Sequence, residues 1–155
     1  MVLNELDGIY DNLILDHCRN PRNQTKLKRV DIECNGVNSF CGDEVHIQLA
    51  LDVDGRVIDI GAQSQGCSIN QATSSMATEA IKGKTLIEIT ELSNSFLRMM
   101  HQVGDWENDL QHLGDLRILS AVRQFPVRLK CAFLIWDAID DGLRAHANRL
   151  PPICS

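Results

Sequence analysis

Six cysteines, Cys18, Cys34, Cys41, Cys67, Cys131 and Cys154, are the residues of this chain best suited to chemistry. None of them forms a C-x-x-C pair, so zinc-ribbon and thioredoxin-like readings find no support, and any shared site must be assembled from distant segments. Thiolates suit zinc and iron–sulfur centres, and a carboxylate is an acceptable further ligand to zinc. One arrangement meets those needs. Cys41 and Asp43 lie two apart in an extended stretch and so share a face, and Gly42 and Gly66 leave room for close backbone approach. Cys67 stands just before a helical pattern, where free N–H groups favour a thiolate. Cys131 falls in the early turns of the last helical segment. Nothing in the spacing alone carries Cys131 to the others, so a joint metal site and separate buried thiols both stay open.

The other candidates read more plainly. Cys18 reads as a small packing residue of the first helix, Cys34 as structural, and Cys154 as an exposed terminal thiol. His17, His46, His101, His112 and His146 show no H-x-x-H or H-E-x-x-H pattern and read as solvated or helix-end residues. Arg22, Lys26, Lys28 and Arg29 form a basic run that reads as a solvated loop. Three thiolates and a carboxylate around a divalent ion carry a net charge of about −2 by simple counting. Arg128 and Lys130 either offset that charge or are ordinary exposed helix residues.

The elements that must position these residues are legible in part. Leu6, Ile9, Tyr10, Leu13 and Ile14 recur at helical spacing up to Asn20-Pro21. A short strand is expected near 30–34. From Glu44 to Val53 the chain alternates, with Val45, Ile47, Leu49, Leu51 and Val53 on one face. Asp54-Gly55 signals a two-residue turn, and the return strand carries Ile58, Ile60 and Ala62. The predicted hairpin, 44–53 with 56–65, pairs Leu51 with Ile58, Leu49 with Ile60 and Ile47 with Ala62. Its open end sets Asp43 opposite Gly66 and Gly42 opposite Cys67. A helix is expected over about 68–82, with Gly83 as its stop. Thr85 to Glu88 is a capping box opening a helix to about Met100, whose Phe96, Met99 and Met100 read as core. Gly104 to Gln111 reads as a polar loop, 115–123 as a short helix, and Pro126 as the first position of a last helix. A helix, a small antiparallel sheet and then several helices make an α+β fold. Without repeats or linkers, residues 1–155 read as one domain.

Composition narrows the class. The chain is 44% hydrophobic and 23% charged with a net charge of −6, which argues against nucleic acid or an anionic membrane as partner. The acidic start lacks the pattern of a signal peptide, and a cytoplasmic location with reduced thiols is the expectation.

Four ordered stretches resemble one family. They are Asp16-His17-Cys18-Arg19-Asn20-Pro21-Arg22-Asn23, then Cys41-Gly42-Asp43, then Gly66-Cys67-Ser68-Ile69-Asn70-Gln71-Ala72-Thr73-Ser74-Ser75-Met76, and finally Phe125-Pro126-Val127-Arg128-Leu129-Lys130-Cys131-Ala132 with Trp136. Together they look like the IscU/SufU iron–sulfur assembly proteins, related to the N-terminal part of NifU. The similarity runs from about Ile9 to Leu143. Two departures stand out: Cys18 where the family commonly has an aromatic residue, and Ser39-Phe40 in place of a proline-containing approach to Cys41. Lys130, where the scaffold branch usually has histidine, and the inserted segment 104–115 look like the SufU branch.

The resemblance implies an IscU-like fold and a metal held by Cys41, Asp43, Cys67 and Cys131. It further implies zinc as cofactor and Cys41 as acceptor of persulfide sulfur, with Arg128 as an assisting cation. The partner it implies is a PLP-dependent, SufS-type cysteine desulfurase, followed by recipient assembly proteins or apo-proteins. In that role the chain is an acceptor rather than a stand-alone enzyme. The alternatives are a scaffold for a transient [2Fe–2S] cluster on the same residues, and a purely structural zinc domain.

Overall fold

The computed structural model describes residues 12–39 and 42–149. Cys41 and Cys154, and the helical positions Leu6, Ile9 and Tyr10, lie outside the described residues. The order of elements is α1 (Asn12–Arg19), β1 (Ile32–Asn38), β2 (Asp43–Leu51), β3 (Val57–Gln65), α2 (Ser68–Ile81), α3 (Leu86–His101), α4 (Trp106–Leu113), a 3-10 helix (Gly114–Gln124) and α5 (Pro126–Arg149). The strands form one antiparallel sheet in the order β1-β2-β3. The fold is α+β, as expected.

The sheet puts alternate residues on its two faces. Val45, Ile47, Leu49, Ile60 and Ala62 are buried on the inner face, where α2 and α5 pack, and Ile47 and Leu49 lose all exposure. The strand expected near 30–34 starts two residues later and continues to Asn38. Its inward Ile32 and Cys34 pack under α5, where a Cβ at Gly142 would stand 2.1 Å from the Cys34 sulfur. Burial pushes the Cys34 thiol up to about 12, which keeps it protonated and inert, in keeping with a structural role.

The hairpin register holds from Glu44↔Gln65 to Ala50↔Asp59 and then shifts by one at Leu51↔Val57. The predicted Leu51–Ile58 pair does not form. The turn is not the two-residue Asp54-Gly55 connection but a wider one. The Asp52 carbonyl accepts the Gly55 N–H at 3.1 Å, and the Asp52 carboxylate accepts the N–H groups of Asp54 and Arg56, each at 2.9 Å. That side-chain capture adds a bulge before β3. Val57 therefore turns inward, whereas Ile58 is 49% exposed and Val53 fully exposed.

The helices follow the sequence closely in two places. The Thr85/Glu88 capping box is present with both reciprocal bonds, and Phe96 and Met99 are fully buried. The stretch read as a polar loop, 104–111, instead contains most of α4. Asp109 is the cause: it turns inward to bond Arg98 and Ser95 of α3, at 2.7 and 3.2 Å. That ion pair holds the Asp109 carboxyl below its usual range. The next segment is 3-10 rather than α-helical because its buried residues, Leu116, Leu119 and Val122, repeat every third position, which is the 3-10 period.

Candidate metal centre

Three elements end at one place. Asp43 opens β2, Cys67 precedes α2, and Cys131 lies in the second turn of α5. The backbone turns from β3 into α2 at Gly66, whose φ of +119° suits glycine. A Cβ there would sit 2.0 Å from Asp43 Oδ1, so only a residue without one lets the carboxylate reach over. The Cys67 N–H then donates to Asp43 Oδ1 at 2.8 Å. Gly66 and Asp43 are thus neighbours across the open end of the hairpin, as its register predicts.

Cys67 occupies the position that caps α2, where serine, threonine or aspartate would turn the side chain back onto the helix. Its own side chain makes no capping bond and is left for other use. The corner is tied by Asn70, fully buried, whose amide donates to the Gln65 carbonyl at 2.9 Å and the Glu44 carbonyl at 3.4 Å. Asn70 did not stand out from sequence; a polar residue on the inner face of an early helical turn was its only signal.

Ligand atoms of Asp43, Cys67 and Cys131 all lie within 4.8 Å of one another. Tetrahedral zinc, with bonds of about 2.0–2.3 Å, holds its ligands about 3.3–3.8 Å apart, a spacing that falls inside the 4.8 Å limit. Asp43 and Cys131 are fully buried, and Cys67 half-buried. Asp43 Oδ2 is buried with no hydrogen-bond partner among the described residues. A buried carboxylate oxygen left in that state is costly, and a cation would satisfy it. The Cys131 thiol is pushed far above its ordinary range, first by burial and then by the adjacent Asp43 carboxylate and Cys67 thiol. Two thiols and a carboxylate with an orphaned oxygen fit a soft or borderline divalent ion.

The remaining predicted residues fall as follows. Arg128 and Lys130 are exposed on the first two turns of α5, beside Cys131 in sequence. Cys34 is remote from this corner, under α5. Cys18 packs against the core, as expected, and its thiol also donates to the Ser68 carbonyl at 3.2 Å. His17 lies in the last turn of α1, a helix-end residue as expected, but it is not solvated. It is 2% exposed, with Nδ1 2.7 Å from Ser75 Oγ, and burial lowers its pKa. Within the basic run Arg22 pairs with Asp16 and Arg29 with Asp31. Among the described residues no helix is long and apolar enough to cross a membrane.

Comparison with known proteins identifies the family. Residues 9–132 match the model of the NifU-like N terminal domain. The chain is 40% identical over 139 residues to a protein of Bacillus subtilis named zinc-dependent sulfurtransferase SufU, covering 89% of this chain and 91% of that one. It is 34% identical over 150 residues to an iron-sulfur cluster assembly scaffold protein IscU of Streptococcus pyogenes, covering 96% and 91%. Among solved structures, a putative iron-sulfur cluster assembly scaffold protein for the SUF system from Fervidobacterium islandicum superposes with a TM-score of 0.79 at 29% identity, over 88% of this chain and 97% of that one. The matched length, the identity and the shared fold place this chain in the NifU-like N-terminal domain family, which includes IscU and SufU.

Proposed function

We propose that this chain, acting as one domain in the cytoplasm, is a zinc-dependent acceptor that takes persulfide sulfur from a PLP-dependent, SufS-type cysteine desulfurase and passes it on for iron–sulfur cluster assembly. The observation that carries the reading is the buried Asp43 Oδ2, without a partner among the described residues, converging with Cys67 and Cys131. The likeness to the Bacillus protein supports zinc as the ion. Cys41, two residues before Asp43, completes the ligand set of Cys41, Asp43, Cys67 and Cys131.

When bound, zinc supplies the Lewis acidity that keeps these thiols ionised near neutral pH. Asp43 is held in place by the Cys67 N–H, and Cys67 and Cys131 anchor the set from two helices. Cys41 is the acceptor. Its thiolate attacks the outer sulfur of the desulfurase's cysteine persulfide, forming a new S–S bond. The bond from that sulfur to the desulfurase cysteine breaks, its electron pair leaves on the desulfurase thiolate, and Cys41 carries the persulfide. Arg128, at the start of α5, offsets the negative charge that builds up there. Recipient assembly proteins or apo-proteins then collect the sulfur.

The likeness to the Streptococcus scaffold supports a second reading, a transient [2Fe–2S] cluster on the same residues. Lys130, in place of the histidine usual in that branch, favours the acceptor. Protein purified without oxygen decides between them. About one zinc per chain, no labile sulfide, and desulfurase stimulation lost in Cys41→Ser are the expected results. Bound iron and sulfide would move the assignment to the scaffold, and zinc without stimulation would leave a structural site.

A further inference from the structure

The two described sulfurs of the centre differ in how a molecule from solution reaches them. Cys67 is half-buried at the position that caps α2, and its side chain makes no capping bond. Cys131, in the second turn of α5, is fully buried. The two sulfurs lie within 4.8 Å of each other, with a carboxylate oxygen of Asp43 inside the same limit. A disulfide needs sulfurs that can turn to face each other across a short gap, and with no cap bond to break the Cys67 side chain can turn.

Exchange with a small disulfide begins at an accessible sulfur and is completed by a second thiol within reach. Cys67 meets the first need and Cys131 the second. The other cysteines whose surroundings are described are placed otherwise. Cys34 is sealed beneath α5, where a Cβ at Gly142 would stand 2.1 Å from its sulfur, and the Cys18 thiol rests on the Ser68 carbonyl. Neither belongs to the cluster of Asp43, Cys67 and Cys131.

We propose that Cys67 and Cys131 of the metal-free chain are a redox pair, which a low-molecular-weight disulfide closes to a Cys67–Cys131 bond, and that this bond and zinc exclude each other. Cys67 gives its proton to solvent, and its thiolate attacks one sulfur of the small disulfide. A mixed disulfide forms, and the first small thiolate leaves with the electron pair of the broken bond. The Cys131 sulfur then attacks the Cys67 sulfur, its proton passing to the Asp43 carboxylate, whose Oδ2 has no partner among the described residues. The second small thiolate leaves in the same way. The two cysteines lose two electrons between them, and the small disulfide is reduced to two thiols. Once joined, the sulfurs have no thiolate to offer a metal; while both are engaged on an ion, neither can take part in exchange. The bond rests on geometry alone, whereas the exclusion rests on the reading of a zinc centre, and the test separates the two.

The full chain, stripped of metal by a chelator and kept free of oxygen, is incubated with glutathione disulfide. Free thiols are then capped with iodoacetamide on the folded protein, and the peptides are mapped without reduction. The product should be lighter than the starting chain by two hydrogens, carry a Cys67–Cys131 bond, leave the buried Cys34 unlabelled, and take up no zinc until a dithiol reduces it. Zinc added beforehand should prevent the bond. Cys131→Ala should stop with glutathione held on Cys67, which fixes the order of attack. A chain that binds zinc yet forms no such bond when metal-free, or joins Cys67 to Cys18 or Cys41 instead, overturns the redox pair and leaves the zinc centre standing. A bond that forms equally with zinc present overturns the exclusion, and with it the place of Cys67 and Cys131 on zinc. A bond found only in chains whose Cys34 is also labelled belongs to unfolded protein and overturns the proposal as well.

Discussion

The two ends of the β2–β3 hairpin each carry an aspartate whose carboxylate accepts main-chain N–H groups, and they differ in what is left over. At the turn, Asp52 is half-buried and takes two N–H donors. The neighbouring Arg56 bonds the Gly83 carbonyl and Glu88, and Glu88 closes the capping box on Thr85. Every group named there has a partner. At the open end Asp43 is fully buried, takes one N–H donor and has an oxygen with no partner among the described residues. Buried polar atoms are almost always satisfied in folded proteins, so the turn end reads as built for stability and the open end as built to wait for a ligand. A residue type therefore says little until its remaining valences are counted.

Gly66→Ala should break the contrast most strongly. The new methyl group displaces the Asp43 carboxylate from the Cys67 N–H, in a backbone conformation that alanine resists. Zinc affinity should fall by roughly 10–100-fold and metal-free stability by about 1–3 kcal/mol. Chelator competition and urea unfolding measure the two; unchanged affinity would mean that Asp43 does not act through this contact.

Asp43→Asn sharpens the difference by reversing a sign. The amide oxygen still accepts the Cys67 N–H, while the buried charge is gone. The metal-free protein should gain about 1 kcal/mol, and the gain from excess zinc, about 2.7 kcal/mol at a hundredfold over Kd for wild type, should shrink. If the variant were less stable in both states, the carboxylate would be structural like that of Asp52.

The smallest effect belongs to the turn end. Thr85→Ala removes one half of the capping box and should cost about 1 kcal/mol of stability with zinc affinity unchanged. A shift in affinity there would show that the two ends are coupled.

How far these ends could be read from sequence follows from how local their causes are. Register from Glu44 to Ala50, the capping box and the meeting of Asp43 with Gly66 are set by alternation and short-range bonding, and all were legible. The bulge at Leu51 was not, because it depends on the Asp52 side chain choosing its own backbone over solvent. Residues 104–111 hid a helix because their helical pattern needs Asp109, a charged residue, to count as buried, and that follows only from its meeting with Arg98. The three-residue spacing of Leu116, Leu119 and Val122 was present in the sequence and marks the 3-10 segment. Cys131 reaches the centre through the packing of α5 across the sheet, a tertiary fact. The contact of Cys18 with Ser68 was hidden for the same reason: the two are fifty positions apart.

The bond from the Cys67 N–H to Asp43 Oδ1 also ties the carboxylate to a spectroscopic handle. It holds one oxygen at the start of α2, so that Oδ2 would be the oxygen offered to an ion. The Cys67 amide shares that carboxylate, and its nitrogen resonance would shift on titration with zinc, reporting binding from the main chain itself.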